Sequence, residues 1–412
     1  MKIDIKTGRV EFEASSSKTL DILFAGDLCP RDRTENLILE GRSEEIVAGV
    51  VKELRNCDLS VVNLETPLTA SGYPIPKSGP NIRVAPECIQ LLKACGWDIA
   101  CCANNHIGDF GDAPVTETLS RLDENGILHV GAGENLKSAY QPLFVEKNGV
   151  KIAFLAFAEN EFGSAGESKP GAAPLNPLRN IAQIKETSKL ADITIVMVHG
   201  GNELNPVPSP RVVDTYRAFA DAGASAVVAG HTHCPQGIEL WNGIPIVYSL
   251  SNFIFDATAE YEGYNWWYGY MLRLKFSGTR ATGLQVIPHH CMPHGEKVTL
   301  LEGSAREDFI KYLNFISEII KSPDEVRKYY NAWCARSIDG GYFSRLGKAF
   351  YPINWEDKTS IGAFMAMRNL HTCEAHNELL TNSLRLIEEH AVEDALKYLP
   401  RLNSLIQGKL PC

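Results

Sequence analysis

The sequence predicts an α/β fold, with helices packed on both sides of a sheet, followed by a helical C-terminal region. Three observations predict it: seven short apolar runs fill the first two-thirds of the chain, helical segments alternate with them, and the pattern becomes wholly helical after about residue 295. Runs that are apolar at successive positions are typical of strands buried on both faces. Their alternation with helices indicates helices that cover a sheet.

The predicted strands carry polar residues just past their C-terminal ends. In chain order the strands are LDILFAGD, DLSVVNLE, DIACCANNH, KIAFLAFAEN, DITIVMVHGGNE, SAVVAGHTH and IPIVYSLSNFIFD. The strand-end residues are Asp27, Glu65, Asn105, His106, His199, His231 and His233. Because ligands bind at this edge of an open α/β sheet, we expect these seven residues to form one site.

Helices are predicted between the strands and throughout the last part of the chain. SEEIVAGVVKELRN and APVTETLSRLDENG have helical patterns, and Gly126 closes the second. Further on, AREDFIKYLNFISEIIKS, TCEAHNELLTNSLRLIEEH and VEDALKYLPRLNSLI also have helical patterns. We therefore predict a first domain over residues 1–295 and a helical region over residues 296–412.

Composition argues against several classes of function. The 412 residues carry a net charge of −10, which disfavours nucleic acid or an anionic membrane as the main partner. The N-terminus lacks the apolar run of a signal peptide, and no stretch approaches the length of a membrane span. The eleven cysteines are odd in number and irregularly spaced, as expected for reduced thiols in a cytoplasmic protein.

The strand-end residues have the chemistry of transition-metal ligands. In GHTH, His231 and His233 lie two residues apart, so both imidazoles can reach one ion or two neighbouring ions. Imidazole with carboxylate suits Zn, Fe, Mn, Co or Ni. A carboxylate that bridges two ions about 3.5–4 Å apart is the usual two-metal arrangement, and Glu65 is our candidate for that bridge. The remaining donors are Asp27, Asn105 and His199.

Each of these residues, taken alone, also has an ordinary structural role. Asp27 suits a helix N-cap, Glu65 a solvated turn, and Asn105 a turn former. His199, beside two glycines, suits a buried and hydrogen-bonded histidine.

Other polar residues are assigned no function. Asp109-Phe110-Gly111 spells a kinase triplet, but no companion kinase motif accompanies it, so we assign these residues to a turn without a catalytic role. The other histidines are assigned to surface or core positions: His129, His289, His290, His294, His371, His376 and His390.

Two long segments resemble the bacterial capsule-synthesis CapA family, also called the poly-γ-glutamate synthesis protein family. They are LKACGWDIACCANNHIGDFG with the residues that follow it, and VHGGNELNPVPSPRVVDTYRAFADAGASAVVAGHTHCPQGIELWNGIPIVYSLSNFIFD. FAGDLCPR and DLSVVNLETPLT match in the same order, so the resemblance spans about residues 20–257. The family is related to calcineurin-like metallophosphoesterases. The resemblance therefore implies a four-layer α/β/β/α sandwich with a dinuclear site between two sheets.

The resemblance also implies a role for each strand-end residue. Asp27 corresponds to the first metal-binding aspartate, and Glu65 takes the place of the bridging aspartate. His106 corresponds to the catalytic histidine that donates a proton or stabilises the leaving group. Where the metallophosphoesterase pattern begins Asp-x-His, this chain has Cys29, which is either a thiolate ligand or a small apolar filler. The residues that correspond to the remaining ligands are Asn105, His199, His231 and His233.

Three further residues are predicted to bind the substrate. Arg31 suits an anionic group of the substrate, with a surface charge as the alternative. Glu203 and Asn252 match residues of the family, and each also suits a position that fixes the tautomer of a histidine.

We expect a metal-dependent hydrolase with two divalent transition-metal ions, Mn, Zn or Fe, that cleaves a phosphate ester through a metal-bound hydroxide. One alternative is cleavage or rearrangement of an amide such as a γ-glutamyl linkage. Another is a non-catalytic accessory protein of poly-γ-glutamate or capsule assembly. The substrate is expected to be an anionic small molecule or polymer. For the helical C-terminal region two roles remain open, a lid over the site or a contact between subunits of a homo-oligomer.

Overall fold

The computed structural model describes residues 1–12, 19–257, 261–291, 296–338 and 361–411. The strands are β1 Arg9–Glu11, β2 Thr19–Cys29, β3 Leu59–Leu64, β4 Ile99–Cys101, β5 Leu128–Val130, β6 Ala132–Gly133, β7 Leu143–Lys147, β8 Val150–Ala158, β9 Gly171–Ala172, β10 Ile193–His199, β11 Ala226–Gly230, β12 Ile238–Trp241, β13 Ile244–Val247, β14 Asn252–Phe255, β15 Tyr268–Ser277, β16 Arg280–Cys291 and β17 Val298–Leu300. The helices are α1 Arg33–Leu39, α2 Ser43–Val47, α3 Val51–Leu54, α4 Ile89–Cys95, α5 Asp112–Glu124, α6 Leu136–Ala139, α7 Pro177–Thr187, α8 Pro210–Asp221, α9 Gly303–Ile320, α10 Pro323–Ile338, α11 Ile361–Thr372, α12 Glu374–Glu388, α13 Val392–Leu396 and α14 Leu399–Ile406.

Most strands belong to two large sheets. The first sheet has the order β1-β16-β15-β2-β3-β4-β5, with β14 beside β2 and β17 beside β16. The second sheet has the order β12-β13-β11-β10-β8-β7. β2 to β5 are parallel, and so are β8, β10, β11 and β13. The carboxyl ends of the parallel strands therefore share one edge in each sheet.

Side-chain alternation along β8 shows what covers the second sheet. Phe154 and Ala156 belong to a core that includes residues of the first sheet, such as Phe24. Leu155 and Phe157 belong to a second core, built with the helices α7 and α8. Because successive side chains of a strand face opposite sides, the second sheet lies between the first sheet and a helical layer.

The expected four-layer α/β/β/α sandwich is thus confirmed. Helices α4 and α5 supply the apolar residues that cover the first sheet. The strand pattern alone had predicted one sheet with helices on both faces, and this was wrong in detail. A run buried on both faces does not reveal whether helices or another sheet cover the second face.

The local elements differ from those predicted at two places. The predicted helix SEEIVAGVVKELRN is divided into α2 and α3, and a glycine, a poor helix former, lies between them. The long antiparallel hairpin β15–β16 was not predicted from the sequence. The helix that Gly126 was predicted to close is confirmed as α5, and this glycine has the left-handed φ of 70° typical of a helix end.

The C-terminal helices share the cores of the two sheets. In α9, Phe309 and Leu313 join the first core, whereas Ile316 and Ile320 join the second. The predicted boundary after residue 295 lies outside the described residues. The division into two domains therefore stays a prediction.

Two properties of the described residues concern membranes and thiols. Within these ranges no helix combines the length and the apolar character needed to cross a membrane. Among their cysteines, Cys29, Cys88, Cys95, Cys101 and Cys102 form no disulfide bond.

Candidate metal centre

The seven strand-end residues are buried at the facing edges of the two sheets. None of their side chains is more than 7% exposed. The first sheet contributes residues at or just beyond the ends of β2, β3 and β4, and the second sheet contributes residues at the ends of β10 and β11. The residues are Asp27, Glu65, Asn105 and His106 from the first sheet, and His199, His231 and His233 from the second.

Glu65 is common to two groups of possible metal ligands. One group is Glu65 with His199 and His231, and the other is Glu65 with Asp27 and His233. In each group the donor atoms all lie within 4.8 Å of one another. Glu65 Oε1 is 3.3 Å from His199 Nε2 and 3.7 Å from His233 Nε2. Its carboxylate thus lies between imidazoles of both groups.

The side-chain oxygen of Asn105 lies close to the two histidines of the first group. His199 Nε2 lies 3.0 Å from His231 Nδ1 and 3.0 Å from Asn105 Oδ1. Ligand atoms around one ion approach each other in this way, and an amide oxygen with two imidazoles suits a transition-metal ion. Asn105 therefore extends this group.

The Glu65 carboxylate supplies the test of whether a metal ion fits. Its side chain is fully buried, and neither oxygen has a hydrogen-bond partner among the described residues. Burial, together with the nearby Asp27, raises the pKa of Glu65 well above its usual value. A buried carboxylate without a hydrogen-bond partner is costly unless a cation compensates it. A metal ion between this carboxylate and the imidazoles would do so, and we conclude that the residues fit a divalent ion.

Two asparagines orient the ligands by hydrogen bonds. Asn63 Nδ2 donates to Asp27 Oδ1 over 2.7 Å and lies 3.2 Å from His199 Nδ1. Asn252 Oδ1 lies 2.9 Å from His233 Nδ1. Asn252, predicted as a substrate-binding residue, is buried behind this histidine. Asn63 was not among the predicted site residues, although its position two residues before Glu65 places both on one face of the strand end.

The backbone of the GHTH turn is strained. His231 and His233 have φ angles of 89° and 52°, in the region that residues with a side chain rarely occupy. The His231 amide donates to Asp27 Oδ2 over 3.1 Å. A Cβ atom on Gly230 would lie 2.8 Å from Asp27 Oδ1, so glycine is needed there. Such strain costs about 1–3 kcal/mol per residue and is typical of ligand-binding positions.

Burial and charge set the protonation of these groups. Burial opposes ionisation of Asp27, but the hydrogen bond from His233 and the charge of His199 lower its pKa to about 2. Burial lowers the pKa of His199 to about 4 and that of His231 to about 3. These two imidazoles are therefore neutral at pH 7, which is the form that binds metals.

His106 is held by a buried aspartate. Its Nδ1 lies 2.6 Å from Asp109 Oδ2, and Lys77 Nζ donates to Asp109 Oδ1 over 2.6 Å. The backbone amide of Ile82 also donates to Asp109, over 2.7 Å. Asp109 was predicted to be a turn residue without a function, and this prediction missed its contact with His106. The His-x-x-Asp spacing was the available signal.

A cavity of about 570 Å³ opens in front of the site. His106, His231 and His233 line it, and so do Arg31 and Glu203. Glu203 is exposed there, and the Arg31 guanidinium pairs with its neighbour in sequence, an aspartate, over 2.6 Å. Both residues therefore lie where a substrate can reach them.

Cys29 lies outside the ligand groups found among the described residues. Its side chain is fully buried in an apolar cluster with Ile82, Phe255 and Trp266. Burial raises the pKa of this thiol well above its usual value. Its surroundings are those of the apolar filler, one of the two roles that the sequence left open.

The beginning of α12 closes one side of the cavity. Cys373 and His376 line the cavity, although His376 had been assigned to a surface or core position. Glu374 accepts a hydrogen bond of 2.8 Å from the Asn160 amide, next to β8. A lid over the site and a contact between subunits both stay predictions for the C-terminal region.

Comparisons with known proteins agree with the sequence resemblance. The model of the family "Bacterial capsule synthesis protein PGA_cap" matches residues 21–257. The "PGA biosynthesis protein CapA" of Bacillus subtilis is 32% identical over 58% of this chain and 64% of its own length. A "Probable polyglutamine synthesis accessory protein" of Mycobacterium tuberculosis is 29% identical over 50% of this chain and 57% of its own length.

The chain thus spans less than two thirds of the length of these curated relatives. Among solved structures, a 5'-nucleotidase precursor from Thermus thermophilus aligns with 12% identity and a TM-score of 0.42. That alignment covers 73% of this chain and 58% of the other.

Proposed function

This chain belongs to the bacterial capsule synthesis family PGA_cap, and we propose that it is a metal-dependent hydrolase with a dinuclear centre that cleaves a phosphate ester. The observation that carries the proposal is Glu65. Its buried carboxylate belongs to two ligand groups at once and has no hydrogen-bond partner among the described residues. One carboxylate shared by two ions is the arrangement of two-metal hydrolases.

Each ion would have its own set of ligands. Asp27, Glu65 and His233 would hold one ion. Glu65 would also hold the second ion, together with His199, His231 and Asn105. When bound, such a pair supplies an acidified water and polarises the scissile bond. The mixture of imidazole and carboxylate suits Mn, Zn or Fe.

His106 is proposed to transfer the proton to the leaving group. Asp109 holds its Nδ1, which leaves Nε2 as the atom that can hold a proton toward the leaving oxygen. Lys77 forms an ion pair with the buried Asp109, and this aspartate keeps the ring in one orientation. Arg31, in the cavity wall, would bind an anionic group of the substrate.

The names of the relatives favour a second candidate function. They refer to PGA biosynthesis and to an accessory role in polyglutamine synthesis. The same centre would polarise an amide carbonyl, so a γ-glutamyl linkage in an anionic polymer is the alternative substrate. A non-catalytic accessory protein would need neither the ions nor His106.

A panel of substrates tests these alternatives. Wild type and His106→Ala are assayed on chromogenic phosphomonoesters, phosphodiesters and γ-glutamyl amides. We expect turnover of a phosphate ester by wild type and a loss of about 10²- to 10⁴-fold in His106→Ala, because general acid catalysis contributes about that much. His371→Ala is the matched control, since His371 is exposed on α11. Turnover of amides alone would refute the phosphate-ester proposal.

Metal analysis tests the accessory alternative. The purified protein is loaded with Mn²⁺, Zn²⁺ or Fe²⁺ and dialysed, and bound ions are counted by mass spectrometry. We expect at least two ions per chain, and at least one fewer in Glu65→Gln. A protein that binds no ion and turns over no substrate would favour the accessory role.

A further inference from the structure

A third group of donor atoms lies in the cavity wall, apart from the ligands grouped around Glu65. It consists of a carboxylate oxygen of Glu161, the sulfur of Cys373 and an imidazole nitrogen of His376, all within 4.8 Å of one another. All three residues line the cavity. Cys373 is 1% exposed, and the other two are half-buried. Neither the strand-end pattern nor the family resemblance assigns any of them.

Two distant parts of the chain supply this group. Glu161 follows β8 at the carboxyl edge of the second sheet, and its Oε1 lies 4.0 Å from His231 Nε2. Cys373 and His376 lie three residues apart at the beginning of α12, so they share one face of the helix. The group therefore joins the carboxyl edge of the second sheet to α12, the C-terminal helix whose beginning lines the cavity.

The donor set selects the kind of ion. A thiolate, an imidazole and a carboxylate together suit Zn²⁺, and three protein ligands leave a fourth position for water or substrate. We propose that Glu161, Cys373 and His376 bind one Zn²⁺ or a similar transition-metal ion, separate from the ions at Glu65. Because all three residues line the cavity, an anionic group of a substrate there would complete the coordination.

Cys373 must change its contact when the ion binds. Its Sγ lies 3.5 Å from Glu159 Oε2, to which the thiol donates a weak hydrogen bond. Binding replaces the thiol proton by the ion and releases that proton to solvent. Glu159 keeps its hydrogen bond from the Ala375 amide, over 3.2 Å, and its ion pair with Arg211. Glu159 can therefore keep these two contacts both with and without the bound ion.

The helix does not depend on the ion for its position. Glu374 accepts from the Asn160 amide, and Glu378 Oε2 accepts from Arg211 Nε over 3.0 Å and from the Ser209 hydroxyl over 2.6 Å. Variants of Cys373 should therefore keep α12 docked, so that a loss of metal reflects lost ligands.

The test uses the full chain loaded with Co²⁺ in place of Zn²⁺. A thiolate bound to Co²⁺ gives a charge-transfer absorption band, which histidine and carboxylate ligands do not give. We expect the band in wild type, its loss in Cys373→Ser together with one bound ion, and Zn²⁺ affinity at least tenfold weaker in His376→Ala. Cys29→Ser is the matched control, because Cys29 is the competing thiol, and it should retain the band.

Three results would overturn the proposal: no band in wild type, a band that persists in Cys373→Ser, or a band that disappears in Cys29→Ser. Thermal unfolding of each variant shows whether it has folded, and His376→Ala gives a second ligand variant at a less buried position. Glu65→Gln separates this site from the proposed dinuclear centre. It should lose ions at Glu65 and still show the band, whether or not the protein hydrolyses phosphate esters.

Discussion

Replacing Arg211 by methionine should weaken the attachment of α12 to the carboxyl edge of the second sheet. Arg211 Nη2 lies 2.6 Å from Glu159 Oε1, and its Nε lies 3.0 Å from Glu378 Oε2. Glu159 is 4% exposed, so the substitution leaves a buried carboxylate without its cation. Methionine keeps the apolar stem of the side chain and removes only the charge and the hydrogen bonds.

The size of the effect follows from burial. Removing one partner of a buried ion pair costs about 3–5 kcal/mol. The Arg211 side chain is 24% exposed, which places the cost near the lower end, at about 3 kcal/mol. With an unfolding entropy of about 2.1 cal/mol/K per residue, a chain of 412 residues should lose about 3–4 °C in Tm.

Differential scanning calorimetry at fixed metal concentration measures this shift. Arg42→Met is the matched control, because Arg42 pairs with the exposed Glu45 and an exposed ion pair contributes little to stability. Arg211→Met combined with Glu159→Gln should recover part of the loss, since no unpaired charge then remains in that pair. A Tm shift in Arg211→Met no larger than that in Arg42→Met, or a double variant that is less stable still, would refute this expectation.

Three other changes address the metal centre. Asp109→Asn should lower kcat about 10- to 100-fold without loss of bound metal, because His106 would keep its place and lose its orienting carboxylate; stopped-flow or steady-state assays with metal analysis measure this. Glu65→Gln should raise the Tm of the chelator-treated protein and abolish the rise in Tm on adding metal, because it replaces a buried carboxyl group that has no hydrogen-bond partner among the described residues and removes a ligand. Gly230→Ala should weaken metal binding about tenfold or more in a titration, because its Cβ would lie 2.8 Å from Asp27 Oδ1.

These predictions have controls within the chain. Gly362→Ala adds the same methyl group in α11, where a Cβ would meet no atom within 4 Å, and should leave metal binding unchanged. His371→Ala tests for a general effect of losing an exposed histidine. Equal metal affinity in wild type and Gly230→Ala, loss of metal in Asp109→Asn, or a metal-induced rise in Tm in Glu65→Gln would contradict the corresponding expectation.

Sequence patterns predicted the central strands and the meeting of their polar ends. Parallel strands align their carboxyl ends within each sheet, and the packing of the two sheets then brings Asp27 Oδ1 within 3.9 Å of His199 Nδ1. The second sheet followed from the family resemblance alone. A strand such as β8 is apolar on both faces whether helices or another sheet cover it.

The rest of the site depends on contacts between distant segments. His106 lies three residues before Asp109, but Lys77 is 32 residues away from this aspartate, and only the fold brings Lys77 to it. Cys373 and His376 have no feature in the sequence that separates them from ordinary helix residues, and only the position of α12 brings them to the cavity. Hydrophobic periodicity reports which face of a helix is buried, but it does not report what that face meets.

The position of Glu65 has a consequence for the order of folding and metal loading. Its neighbours His199 and His231 belong to the opposite sheet, so an ion held there would cross-link two layers whose residues are far apart in the chain. A chain emerging from the ribosome cannot assemble this set until both sheets have closed on each other. Capture of the ion would then follow tertiary folding. Free metal at concentrations above its Kd would lower the fraction of molecules in which the two sheets have separated, because the ion binds only when they are packed together.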